Sequence, residues 1–423
     1  MAPGRPPRLG SLGSVRITPR LFRLVWGGEV ERALHPVLAV AVAGSVAGAA
    51  AWTFVGIWAK TYLHATDTQL GLTYLVGALL AAGTGYLSGH ISDHVGRRPL
   101  ILTGWGAQTL TLLGFLAVGR HLYAGMALGA LAPSLGAIGG AADSAMVADL
   151  VPPDRHEAGY ASVRVAANLG VTLGPPIGGL LLVAHSWQIF FAGVAVLSAL
   201  GFVLAHRFIP RTGAYAPESP PERGSFAVIR RDRAFLLFMG SSVLASMTYV
   251  AFETLLPISL TTSYGLSPST WGFLVIVNPL LVTLVQLRLI RWTARMPGAV
   301  KLGIAMPLMG LPFLLLGLSA AIPVVALVIF VFVIGEMLWI PTSQAAVAAF
   351  APVDIRGAYM GFFGSSWAVA WALGPFLGLQ VRGNFGDNTM WAFVAAISVL
   401  AGITGAAAVR GRRVAPGVGS AAA

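Results

Sequence analysis

The feature that most constrains this chain is the recurrence of apolar runs about 20 residues long over almost its whole length. Such a run spans roughly 30 Å at 1.5 Å per residue, the thickness of a bilayer's hydrocarbon core. In that medium the backbone must satisfy its own hydrogen bonds, so each run is expected to be a helix. Hydrophobic residues make up 56% of the chain and charged ones 10%, where an average soluble domain has roughly 25% charged. A soluble helical protein would need a polar face on each helix, and most of these segments have none. The first expectation is an all-α membrane protein.

Hydropathy and turn residues place spans at about 36–58, 69–91, 99–119, 121–149, 159–184, 187–207, 235–263, 270–290, 300–320, 322–349, 356–381 and 389–409. Breakers separate several of them: Pro152-Pro153-Asp154, Ser267-Pro268-Ser269, Met296-Pro297-Gly298 and Pro352-Val353-Asp354. The expected organisation is a disordered basic tail (1–35), a six-helix bundle (36–207), a linker (208–234), a second six-helix bundle (235–409) and a short tail (410–423). Residues 1–35 have no compact apolar stretch with a small-residue cleavage site, so the first span is expected to act as an uncleaved signal anchor.

The net charge of +12 invites a nucleic-acid reading. The positive residues sit between apolar runs, however, and not on one soluble domain. They fix an orientation instead. Of 27 Lys and Arg, three (Lys60, Arg120, Arg382) fall on one side and Arg164 lies inside a span, leaving 23 on the side of the termini. That side is expected to be the cytoplasm of a bacterial cell, by the positive-inside bias. The chain has no cysteine, which excludes disulfides, thiol nucleophiles and thiolate metal sites. No His-Glu-x-x-His helix, phosphate loop or nucleophile elbow is present, so no metal, no cofactor and no enzymatic activity are expected.

The two halves repeat. Ala145-Met-Val-Ala-Asp-Leu-Val-Pro-Pro-Asp154 aligns with Ala345-Ala-Val-Ala-Ala-Phe-Ala-Pro-Val-Asp354, and Gly174-Pro175 with Gly374-Pro375, both at an offset of 200. Twofold repeats of this kind place a substrate site between the halves near mid-membrane.

Two motifs carry more information. After the second span comes Gly89-His-Ile-Ser-Asp93-His-Val-Gly96-Arg97-Arg98. Gly96 permits a tight turn, the arginines hold the loop at the aqueous face, and Asp93 can accept charge-assisted hydrogen bonds. In the fifth span, Gly170-Val-Thr-Leu-Gly174-Pro175-Pro176-Ile-Gly178-Gly179 sets small residues at helical spacing, which lets backbones approach closely. The first motif resembles the signature loop of the major facilitator superfamily, and the second its antiporter motif. Residues 335–361 are similar to bacterial drug:proton antiporters of that superfamily. The resemblance covers about residues 36–409 and implies twelve helices in two pseudo-repeats. It also implies a cytoplasmic gate made of Asp93, Arg97 and Asp149, and helices one, four, seven and ten lining the central cavity. His94 stands where the family has a basic residue. The arginine that many such exporters carry in span four is absent from Leu131-Ala132-Pro133-Ser134-Leu135-Gly136.

Ionisable residues inside spans are functional candidates by default. Glu336, Glu253, Asp143 and Arg164 are therefore the proton-coupling candidates. Burial favours the neutral form of a carboxyl, which lets it exchange a proton as its surroundings change. Arg164 and Asp143 lie at similar depth on neighbouring antiparallel helices and are expected to pair. Trp52, Tyr249, Phe252, Trp339 and Asn168 are the substrate-cavity candidates; aromatic walls suit bulky, partly apolar or cationic compounds. The alternative for each aromatic residue is the bundle core or the lipid. The expected function is proton-driven export of small amphiphilic compounds by a monomer working in the lipid bilayer. Uptake of a small nutrient with protons, or a receptor or scaffold that moves nothing, are the alternatives.

Overall fold

The structure, a computed structural model, describes residues 32–151, 156–210, 225–352 and 355–410. Eleven helices among them are long and apolar enough to cross a membrane. They are α1 (His35–Thr61), α2 (Asp67–Val95), α3 (Arg97–Val118), α4 (Leu122–Leu150), α5 (His156–Leu181), α6 (Trp187–Phe208) and α7 (Arg233–Thr262). Then follow α8 (Val277–Trp292), entered through a short helix at Pro268–Leu274, α9 (Gly298–Gly310), α10 (Ile322–Phe350) and α11 (Arg356–Val409). The two tails, the Pro152-Pro153-Asp154 turn, most of the 208–234 linker and Val353-Asp354 lie outside the described residues.

Local chemistry sets the ends. Gly96 joins α2 to α3 at φ 87°, a conformation that costs a glycine least. The Asp232 carboxylate accepts from the Phe235 amide at 3.0 Å and caps α7. The Ser267 hydroxyl accepts from the Thr270 amide at 3.2 Å, with Pro268 at the first helical position. Two spans differ from the uniform helices expected. The eighth is interrupted between Leu274 and Val277, and the ninth ends as a tighter 3-10 turn over Leu311–Gly317 that contains Pro312.

The last two expected spans form a single 54-residue element whose backbone leaves helical geometry at Gly386 (φ 84°, ψ 172°). Its contacts show a reversal. Tyr359 stacks near Phe235, Gly374 lies beside Met247, and Arg382 reaches Thr262, so the chain first runs parallel to α7. Beyond Gly386, Asp387 meets Ser259 and the Ala401 carbonyl accepts from Ser241, so it returns antiparallel.

Helices pack most closely with others of their own half, residues 35–208 or residues 233–409, and the two halves are called here the first and second bundles. In the first, α5 lies directly on α1: a β-carbon at Gly174 would stand 2.6 Å from that of Ala49, and one at Gly178 would stand 2.6 Å from the Ala50 carbonyl oxygen. In the second, α11 lies on α7 in the same way, with Gly378 against Leu255. Between the bundles, Gly71 of α2 meets Phe376, and Gly272 meets Pro175 and Gly179 of α5. Lipid tails give helices no hydrophobic drive to associate, so close backbone approach at small residues supplies the attraction.

The ends of the described chain, at Leu34, Ile209, Arg233 and Val409, lie on one face, called here the terminal face. There Leu34, Val151 and Ile209 pack together, and Arg98 donates to the His206 and Ile209 carbonyls. The named contacts between the bundles lie toward the opposite face, where polar groups join them. Arg382 donates to Asp67 at 2.7 Å and to Asp387 at 3.0 Å, and Lys60 pairs with Asp67 at 2.8 Å. Arg382 also reaches Thr262 and Ser263, and Ser259 and Ser263 donate to Asp387. This latch ties α1 and α2 to α7 and α11. Its carboxylates and arginine are nearly buried, and breaking such a pair by removing one partner costs on the order of 3–5 kcal/mol.

Two outcomes follow. Gly178→Leu is expected to cost about 1–3 kcal/mol through overpacking against α1, read as a lower melting temperature in detergent. Gly240→Ala, where a β-carbon meets nothing within 4 Å, serves as the control; equal melting of both variants would show that the α1–α5 contact tolerates bulk. Arg382→Ala is expected to open the face of the latch. Because the chain has no cysteine, a Leu70→Cys reporter (Leu70 is 2% exposed) can be labelled with an impermeant maleimide. Labelling unchanged by Arg382→Ala would show that the latch does not hold this face shut.

Candidate functional site

Two of the four ionisable residues expected inside spans come together. Glu336 sits in the middle of α10, 7% exposed, and accepts from the Asn278 amide of α8 at 2.8 Å. Glu253 lies on α7, and Tyr249, one turn before it on the same face, shares a side-chain hydrogen bond with it. Glu253, Glu336 and Tyr249 are within electrostatic reach of one another. Arg164 of α5, an exposed residue of the other bundle, is within reach of Tyr249. The two acids of one bundle and Arg164 of the other thus share Tyr249 as a common neighbour in electrostatic reach.

The helices set this arrangement. Pro341 in α10 and Pro257 in α7 each remove one ladder hydrogen bond near the acids. Around the acids stands an aromatic wall: Tyr249 meets Trp367 edge-on at 5.1 Å, Trp339 lies 5.6 Å from Trp367, and Tyr249 lies 5.9 Å from Phe332. Trp339 Nε1, Ser343 Oγ and Ser246 Oγ, on the two acid-bearing helices, are buried without a partner. Unfilled polar atoms of this kind are uncommon in folded proteins and mark spare hydrogen-bonding capacity. A wall of rings, two carboxyls and spare donors can hold an amphiphile and change its own charge by taking up a proton.

The structure separates other expected partners. Arg164 and Asp143 make no ion pair. Arg164 is within electrostatic reach of Tyr249 of the second bundle, while Asp143 lines a cavity among α1, α3 and α4. The expectation compared depth and neglected the direction each side chain leaves its helix. Asn168 is exposed one turn beyond Arg164, and its carbonyl accepts from Thr172. Trp52 is half-exposed, and its ring meets Phe115 of α3 at 6.4 Å. Phe252 is fully buried and stacks on Phe332 at 4.2 Å, which makes it a core residue and not an open wall. Trp339 is also buried, with only its unpartnered Nε1 to offer.

At the terminal face, Arg97 donates to Asp149 at 3.1 Å, so the α2–α3 turn is tied to the end of α4 within one bundle. The side chain of Asp93 lies outside the described residues, as does that of Gly89. Gly170, Gly174, Pro175 and Gly178 of α5 face α1 or the short helix before α8, and Gly179 meets Ser269 and Gly272 of the other bundle. The expected packing motif therefore joins the two bundles as well as two helices. Asp67, Arg382 and Asp387 were missed by the sequence reading. The available signal was that Lys60 and Arg382 are rare cations on a face otherwise poor in them. Among the described residues no group of three His, Cys, Asp or Glu could hold a metal.

Known proteins share this architecture. The sequence is similar to the multidrug resistance protein MdtH of Edwardsiella ictaluri, 27% identical over 315 residues (72% of this chain and 75% of that protein). It is also similar to the Na(+), Li(+), K(+)/H(+) antiporter of Planococcus maritimus, 21% identical over 364 residues (78% and 85%). Among solved structures, the nucleoside transporter NupG superposes with a TM-score of 0.74 at 14% identity, covering 90% of this chain and all of that one. The peptide transporter POT, in complex with sulfate, superposes with a TM-score of 0.73 at 17% identity (91% and 96%); both likenesses speak to the fold. The sequence pattern of the Major Facilitator Superfamily matches residues 37–375 and 241–421, and the chain belongs to that superfamily of membrane transporters.

Proposed function

We propose that the chain is a proton-coupled secondary transporter that carries a small amphiphilic compound across a bacterial cytoplasmic membrane by alternating access. The observation that carries this reading is the pair of acids inside the spans, Glu336 with Asn278 and Glu253 with Tyr249, within electrostatic reach of each other. A receptor or scaffold would have no need of two carboxyls in this setting, because their desolvation costs free energy.

The reversal at Gly386 makes the last helix two crossings, and the chain then crosses twelve times in two six-helix halves. The contacts support a pseudo-twofold relation: α5 on α1 matches α11 on α7, and Gly71 with Phe376 matches Gly272 with Pro175. The arginine-rich terminal face is the cytoplasmic one. The latch then closes the outer side, and the cavity opens inward. Asp93, Arg97 and Asp149 form the gate that steadies the opposite state. Protonation of Glu336, helped by Glu253, changes the relative affinity of the two states for substrate, and that difference supplies the drive. Glu336 is the stronger candidate, since it is the more buried and lies at mid-span.

The direction proposed is export. Its support is the antiporter-like glycine motif at Gly170–Gly179 and the names of relatives, multidrug resistance protein and cation/proton antiporter. Uptake is the second reading, favoured by a fold shared with a peptide and a nucleoside transporter. Both directions use the same acids and the same cavity.

The test is transport in proteoliposomes under an imposed pH gradient, with dyes, antibiotics, peptides and nucleosides loaded on either side. Glu336→Gln is expected to reduce gradient-driven transport on the order of tenfold while sparing gradient-independent exchange, because a fixed neutral group removes the coupling but not the cavity. If Glu336→Gln, Glu253→Gln and the double variant all keep full gradient-driven transport, coupling by these acids is wrong.

A further inference from the structure

Asp143 has no part in the site above, and the cavity it lines is a separate one. That cavity measures about 270 Å³ and lies within the first bundle among α1, α3 and α4, reaching toward the terminal face at Val37 and Ile209. Its polar lining is Ser45 of α1, Gln108 of α3 and Asp143 of α4, and its aromatic wall is Trp105.

The packing explains why a space exists here. The Trp105 ring is wedged between helices: a β-carbon at Gly201 would stand 2.1 Å from it, and one at Gly44 would stand 3.0 Å away. A β-carbon at Gly104 would fall 2.8 Å from the Gly139 amide, so α3 and α4 touch backbone to backbone. The helices are held at the ring and at this contact, and the side of the ring toward Asp143 stays unfilled. Asp143 lies six residues before Asp149 on α4, about 9 Å deeper along the helix axis.

The chemistry of the lining is unbalanced. Among the described residues no hydrogen bond or ion pair reaches the Asp143 carboxyl, the Gln108 amide or the Ser45 hydroxyl. Arg164, the nearest expected counter-charge, is within electrostatic reach of Tyr249 of the other bundle. The Asp143 side chain is exposed and those of Ser45 and Gln108 are half-buried, so all three polar groups are open to an occupant of the cavity.

We propose that this cavity binds a small monovalent cation. The Asp143 carboxylate supplies the charge, and the Gln108 and Ser45 side-chain oxygens supply neutral donors, a set that suits a hard ion or an ammonium group. The Trp105 face adds cation–π attraction. The carboxylate repels anions. One carboxylate leaves a divalent ion undercompensated, and no second acid or histidine lines the cavity among the described residues. At about 270 Å³ the space is below that of sites for drug-sized molecules. The site stands apart from Glu253 and Glu336, and binding here does not depend on the transport reaction proposed above.

The test measures the melting temperature of the purified full chain in detergent against sodium chloride, potassium chloride and ethylammonium chloride. Ionic strength is held constant with bis-tris propane chloride, whose cation is too bulky for the cavity. A saturable rise with at least one of the three cations is expected in the wild type and in Glu336→Gln. Asp143→Asn is expected to lose it, and Gln108→Leu to weaken it several-fold in half-saturating concentration. The alkali and ethylammonium arms separate a bare ion from an amine. No saturable rise with any of the three, or an unchanged response in Asp143→Asn, would overturn the proposal. Should Asp143→Asn fail to fold, Gln108→Leu decides, and an unchanged half-saturation there overturns it equally.

Discussion

In hydrocarbon no water is available to the peptide groups, so every backbone N–H and C=O must be satisfied inside the chain. The rest of this structure depends on that constraint. It makes the apolar runs helical, and it removes the hydrophobic force that would otherwise press helices together. Contact must then come from dispersion at close range and from polar groups that cannot remain alone. Both devices are visible. Gly174 and Gly178 bring α5 onto α1, and the Arg382 network ties the bundles at one face. Pairs that would contribute little on a soluble surface matter more here, because their carboxylates and guanidinium are nearly out of water.

The helices were legible because their signal is long and simple. Most bounds fall within a few residues of those expected, and the Gly96 turn and the Ser267 cap have the chemistry that the sequence announced. The breaks inside the eighth and ninth spans were not foreseen, although Pro312 marks the second of them. Hydropathy averages over a span and does not report where its ladder changes pitch. The reversal at Gly386 was legible from the other direction: a span prediction divides the last element where the helix assignment runs straight through it.

The candidate site was legible in type and less so in arrangement. An acid inside an apolar run can be recognised from sequence alone, and Glu336 and Glu253 were recognised so. Which face each occupies depends on an angle of about 100° per residue, and an error of one or two residues in helix phase turns a side chain away. That is why Arg164 and Asp143, matched in depth, do not pair, and why Phe252 belongs to a stacked core. The latch was illegible for another reason. Asp67 and Arg382 are 315 positions apart, and no local pattern joins them.

The contacts within a bundle and those of the latch are of different kinds, and the difference bears on motion. The contacts of Gly174 and Gly178 on α1 lie within one bundle and press against backbone atoms, where water cannot replace them, so they suit parts that stay together. The Arg382, Asp67 and Asp387 groups lie at an aqueous end, where water can take over each hydrogen bond as the network opens. At the terminal face, the Arg97–Asp149 pair ties one bundle to itself, so it does not hold the bundles together on that side. Of the ionisable groups, Arg164 is exposed, whereas Glu336 is buried and Glu253 half-buried. On the proposed function, a substrate that satisfies these groups would lower the desolvation cost of bringing the bundles together there, so that binding would be coupled to closure by the same constraint that made the helices.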